Sequence, residues 1–242
     1  MKTMNLWPAV LYHIEYALIA LAWTFGIVGA ISIAGSIFFE SFVFMGSTDA
    51  GSYVSFNAGA VALVMFFIFG VGGTREDLRF FLQNGMGRRT TYWSTIISAL
   101  ISGAAVGLLG EGFNLLFRLW PAFPITGMNF NHASGFFIGW LMHIGSFFFA
   151  WQLGALFSLI YYRMNKNQQI VFSVALAATF VIGLPRIIIR MIPSVEAFEA
   201  MVETMFYNFF AIPSNWAILI FALGVLAACG NFFLIRGANV KE

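Results

Sequence analysis

A chain of 242 residues that is 60% hydrophobic, 9% charged and formally +2, with a mean hydropathy of +0.87, has more apolar surface than one soluble core of that size can bury. Composition therefore predicts an integral membrane protein. It excludes a hidden soluble catalytic or ATP-binding domain, because no polar stretch is long enough to fold as one and no GxxxxGK[ST] phosphate loop occurs.

A helix needs about 20 apolar residues to cross a bilayer. Six runs of that length lie at about 17–39, 54–73, 92–110, 134–161, 169–189 and 213–235. They are too long for barrel strands and show no strict alternation, so the expected fold is an all-α membrane protein, one transmembrane domain over 1–242. No short apolar core with a small-residue cleavage site precedes the first run, which predicts a retained N-terminus.

Ahead of the first span, residues 1–16 place Trp7, Leu11 and Ile14 at helical spacing with His13 and Glu15 off that stripe, which predicts an interfacial helix. Next comes "GGTREDLRFFLQNGMGRRTTYW", residues 72–93, which gathers Arg75, Glu76, Asp77, Arg79, Arg88 and Arg89. Thr74 with Asp77 has the form of an N-cap, Leu78, Phe81 and Leu82 build an apolar stripe, and Gly85 is a natural stop. The spacing predicts a short amphipathic helix over Arg75–Asn84 within a 74–91 loop.

Further along, Gly103 with Gly107 and Gly135 with Gly139 permit close helix approach, and Trp140, Trp151 and Gln152 either line a path or fill the bundle. Residues 191–212 put Phe198, Met201, Val202, Met205 and Phe206 on one side and Glu196, Glu199 and Glu203 on another, an outward amphipathic helix or a re-entrant pair. Arg186 and Arg190 sit at i and i+4 near the outer end of span five. An arginine at membrane depth is normally paired, so Glu111, Glu196, Glu199 and Glu203 are expected partners in an outer clamp; an anionic substrate contact is the competing role. Cys229, the one cysteine, allows no internal disulfide.

Lys2, Arg75, Arg79, Arg88, Arg89, Arg163, Lys166, Arg236 and Lys241 fall on one side of the six spans, against Arg118, Arg186 and Arg190 on the other. By the positive-inside rule both termini and the 74–91 loop are expected in the cytosol. An amphipathic helix there serves as an interfacial hairpin or as a docking helix for a partner's groove.

The order Arg75-Glu76, a Leu/Phe-rich helix, a turn at Asn84-Gly85, then Arg88-Arg89 leading into a span resembles the inner loop of ABC-2 type transporter permeases. The six-span plan with both ends inside is similar to that family too, so the resemblance covers essentially the whole chain. It departs from the pattern in lacking the family's Gly-Thr pair after the glutamate and in having Gly85 where a proline is usual. The resemblance implies a coupling helix seated in a cleft of a separate ATP-binding subunit, with Arg75, Glu76, Asp77, Leu78, Arg79, Phe81, Leu82, Gly85, Arg88 and Arg89 as docking residues. Residues 1–16 would be the connecting helix. The 191–212 segment would help close the outer end, where Glu111, Arg186, Arg190, Glu199 and Glu203 form a gate or clamp.

It further implies ATP and Mg on the partner subunit with no cofactor on this chain, a second permease copy or a sibling permease, and a bacterial cell membrane. Export as the direction rests on the resemblance alone. Thirty phenylalanines and no buried charge array favour an amphipathic or hydrophobic cargo such as a peptide, antibiotic or lipid. No nucleic-acid partner is expected.

The alternative is a proton-coupled secondary transporter, with Glu111 between Gly110 and Gly112 as its carboxylate. Intramembrane hydrolysis would need Ser134 and His143, but nine residues of helix separate them by about 13 Å. With no HExxH and three scattered histidines, zinc chemistry is not expected either, and the chain reads as a non-enzyme.

Overall fold

A computed structural model describes residues 6–43, 58–119, 135–179, 186 and 213–236, and these are almost entirely helical. In chain order they form α1 (Leu6–Val43), α2 (Ala58–Gln83), α3 (Arg88–Leu119), α4 (Gly135–Arg163), α5 (Lys166–Ala178) and α6 (Pro213–Arg236). Four stretches, Leu6–Ile27, Arg88–Gly112, Gly135–Arg163 and Ser214–Arg236, are long and apolar enough to cross a membrane, and α2 adds a fifth if its two arms count as one span. These are the helices of a multi-pass membrane protein. Of the span expected at 169–189, the described part is α5 and Arg186; Arg190 and the 191–212 segment lie outside the described residues.

The fold is organised around α4, which packs against α2, α3 and α6, while α1 packs mainly on α3. Lipid tails are as apolar as leucine, so helices in a bilayer gain little from hiding leucines from one another; they associate through close packing and polar contacts. The buried face of α4 suits that, with Gly139, Gly145, Ser146, Ala150, Gly154 and Ala155 all inside. At the α2–α4 crossing two glycines face each other's backbone. A Cβ added to Gly154 would lie 3.0 Å from the Val71 nitrogen, and one on Gly70 would lie 2.8 Å from the Ala155 nitrogen.

Aromatic rings fill the space beside this crossing. Phe66 stacks on Phe147 with centroids 4.7 Å apart and meets Trp151 edge-on at 5.8 Å. On the other flank Asn231 Nδ2 donates to both the side-chain and backbone oxygens of Gln152, each at 2.9 Å, and the Tyr92 hydroxyl donates to the Ala228 carbonyl at 2.9 Å. Gln152 is thus spent on clasping α4 to α6. Trp140 Nε1 donates to the Ala104 carbonyl at 2.9 Å and Trp151 is buried in the core, so these three residues fill the bundle.

Two glycine-to-alanine changes should separate packing from helix propensity. Gly154→Ala should lower stability in detergent by about 1–3 kcal/mol, because the methyl meets backbone. Gly26→Ala, whose Cβ would meet nothing within 4 Å, should be neutral or stabilising by up to about 1 kcal/mol. Equal effects in thermal melts would remove the close crossing as the cause.

Candidate functional site

The candidate site begins where α2 leaves the apolar layer. Thr74 does not cap a new helix: its hydroxyl donates back to the Gly70 carbonyl, and the helix runs on to Gln83 with a 43° bend between Gly59–Thr74 and Glu76–Gln83. The expected separate helix over Arg75–Asn84 is therefore the far arm of α2. Gly70, Gly72 and Gly73 with a back-bonding threonine loosen the ladder enough to bend it without breaking it.

The stop at Gly85 is where the spacing places it. Gly85 has a φ of 80°, Met86 N donates to the Phe81 carbonyl at 2.9 Å and Gly85 N to the Leu82 carbonyl at 3.1 Å. This is a Schellman ending, and its usual apolar contact is present as Phe81 against Met86, with Ala9 of α1 completing the cluster. Only residues 84–87 separate α2 from α3.

The apolar stripe faces inward. Leu78 and Phe81 are 5% and 1% exposed, and Leu82 packs beside the cluster of Leu78, Tyr92, Leu159 and Ile235. Phe81 also meets the rings of Tyr12 and His13 at 5.8 and 5.3 Å. The expectation that Leu78, Phe81 and Leu82 offer a knob to a partner is thus corrected: the chain's own α1, α4 and α6 cover them. What the hairpin exposes is Glu76, Arg79, Phe80, Gln83, Asn84 and Gly85, with Phe80 stacked on Tyr12. Arg75 lies at the bend, and Arg89 is exposed at the start of α3. Arg88 turns toward α6, its Nη1 donating to the Arg236 carbonyl at 3.1 Å.

Asp77 does not point outward with the other charges. Its Oδ2 lies 3.3 Å from His13 Nδ1, and both side chains are largely buried.

The expected stripe of α1 lies on its outer side, and His13, off that stripe, faces the bundle. Trp7 and Leu11 are exposed, whereas Ala9, Val10, His13, Ala17 and Leu21 are buried. Large apolar residues face lipid and small or polar ones face the bundle, which is the signal that would have found His13.

At the other end of the bundle, Glu111 of α3 meets His143 of α4, Oε1 to Nε2 3.2 Å, at 13% and 0% exposure. The two helices make room reciprocally. Gly107, one turn before Glu111, faces His143, whose Cβ would be 2.8 Å from an added methyl, and Gly139, one turn before His143, faces the Glu111 carboxyl. The His143 ring stacks on Phe147 at 5.7 Å. The expected outer clamp is not assembled within the described residues: Arg186 is exposed, and Arg190, Glu196, Glu199 and Glu203 lie outside them.

No family model matches the chain, and neither does any curated protein or solved structure.

Proposed function

We propose that the chain is the permease subunit of an ATP-driven ABC-2 type exporter in a bacterial cell membrane. In this reading it moves an amphipathic or hydrophobic cargo, pairs with a second permease, and receives force from a separate subunit that binds ATP and Mg. The reading rests on the resemblance of the 72–93 stretch and of the overall plan. The observation that carries it furthest is mechanical: a short, charged, exposed tip is continuous with two long helices and is braced on both sides.

The exposed tip supplies Glu76, Arg79, Phe80, Gln83 and Asn84 as the face toward the ATP-binding subunit. Phe80, 49% exposed and held by Tyr12, is its apolar element. Beneath it, Phe81 with Ala9 and Met86 and the His13–Asp77 pair join the tip to α1, while Leu78 with Leu159 and Ile235 joins it to α4 and α6. A displacement of the tip is carried into the bundle because no flexible linker absorbs it. Alternating access would then follow from the ATP-dependent closure of the partner subunits.

A second reading, a proton-coupled transporter, is favoured by the Glu111–His143 pair, since a buried ionisable pair in a membrane bundle marks a proton or ion pathway.

Purification from the native membrane in mild detergent should recover a P-loop ATPase in stoichiometric amount. Arg79→Glu with Phe80→Ala should lose it while leaving the melting temperature unchanged, whereas Phe81→Ala should lower the melting temperature by loss of packing. A wild-type chain that comes without any ATPase, or a double variant that keeps it, would overturn the exporter reading. The proton reading is tested by hydrogen exchange of α3 and α4 at about pH 5.5 and about pH 8: a difference that disappears in Glu111→Gln supports it, and no difference in the wild type removes it.

A further inference from the structure

The hairpin end holds a second basic feature that the exposed tip does not use. Between the start of α3 and the end of α6 lies a cleft of about 370 Å³ lined by Gly87, Arg88, Arg89, Phe232, Ile235 and Arg236. Three arginines from two distant parts of the chain thus line one small concave space, Arg89 and Arg236 at exposed positions. Like charges near one another repel, and arginine cannot relieve this by giving up its proton. Among the described residues none of the three is in an ion pair; the pairs formed there are His13–Asp77 and His143–Glu111. An anion bound in the cleft would relieve that repulsion.

The geometry says which kind. Arg88 is fixed by its bond to the Arg236 carbonyl, which leaves its other N–H groups for a ligand. Guanidiniums match phosphate oxygens two at a time, and several of them around one pocket favour a phosphate over a chloride. The remaining lining, Phe232 and Ile235, is apolar, and Phe233 beside it is 69% exposed. The cleft also sits where the membrane-crossing stretches Arg88–Gly112 and Ser214–Arg236 respectively begin and end, which is headgroup depth. A soluble phosphate would use the arginines and leave the apolar wall wet; a phospholipid uses both.

We propose that this cleft binds the headgroup phosphate of an anionic phospholipid, with Arg88, Arg89 and Arg236 on the phosphate and Phe232 and Ile235 against the glycerol and first acyl carbons. The lipid ties the end of α6 to the start of α3, directly behind the hairpin. This inference does not depend on what the protein transports or what drives it.

The test uses the purified full-length chain in detergent, titrated with phosphatidylglycerol, phosphatidylcholine or inorganic phosphate, read by native mass spectrometry and thermal shift. One phosphatidylglycerol per chain should survive desorption and raise the melting temperature, while phosphatidylcholine and inorganic phosphate at equal concentration should not. Replacing Arg88, Arg89 and Arg236 by glutamine should weaken retention by about tenfold or more. Arg89→Gln alone, at an exposed position with no hydrogen bond among the described residues, should fold normally and weaken retention about threefold to tenfold. Equal retention of phosphatidylcholine would overturn the headgroup selectivity. Equal protection by inorganic phosphate would make this a free-anion site, and undiminished retention in both variants would place the lipid elsewhere.

Discussion

The structure depends on one close approach, the crossing of α2 and α4 at Gly70 and Gly154. In a bilayer the hydrophobic effect brings helices into the membrane and then stops distinguishing one apolar surface from another. What remains is dispersion between surfaces that fit, which falls off within an ångström or so of separation. With backbones in contact at the crossing, the rings of Phe66, Phe147 and Trp151 are held within stacking distance beside it. Without the glycines the same rings would span a gap that nothing in the sequence could fill.

The same principle decides where polar groups can lie. Gly107 and Gly139 leave between α3 and α4 a space that Glu111 and His143 occupy together, and Gly73 leaves room for the Asp77 carboxyl, whose Oδ2 lies 2.7 Å from an added Cβ. Three of the four paired acids and histidines stand four residues after a glycine on their own helix, at Gly73–Asp77, Gly107–Glu111 and Gly139–His143, and His13 stands four after the small Ala9. One turn of helix puts the two on one face, so the small residue vacates the volume that the ionisable side chain or its partner takes. The Asn231–Gln152 clasp meets the same need without charge.

This accounts for what could be read from the sequence. The helical class, the stop at Gly85 and the close approach through Gly103 and Gly107 follow from composition and local backbone chemistry and are found, whereas helix bounds differ: α1 is continuous from Leu6, and the Arg75–Asn84 helix is an arm of α2. The faces of the helices did not follow. Amphipathic spacing assumes water on the polar side, and it placed Leu78, Phe81 and Leu82 outward toward a partner and left the polar side of α1, with His13, to water. In the structure the large residues of α1 face lipid, while the stripe on α2 is covered by α1 itself. The partners of His13 and His143 were equally illegible, because each pairing joins helices that only the tertiary crossing brings together. Thr74 misled for a local reason: an N-cap and a back-bonded threonine in a bent helix share the same sequence form, and only the continuity of α2 separates them.

The burial of the hairpin's apolar stripe bears on how force would travel. A knob seated in a partner's groove couples strongly to that partner but loosely to its own bundle, because the residues that grip are then absent from the interior. Here Phe81 and Leu78 grip inward, and the outward contacts fall to charges and to Phe80. Exposed ion pairs are each worth little and are easily remade, so such a tip can engage and release a partner at small energetic cost while remaining rigidly attached to α1, α4 and α6. In the proposed exporter, a stroke delivered there would reach the α2–α4 crossing through packed side chains. The Gly70–Gly154 contact, where the helices touch backbone to backbone, would then be the fulcrum for a tilt of the near arm of α2.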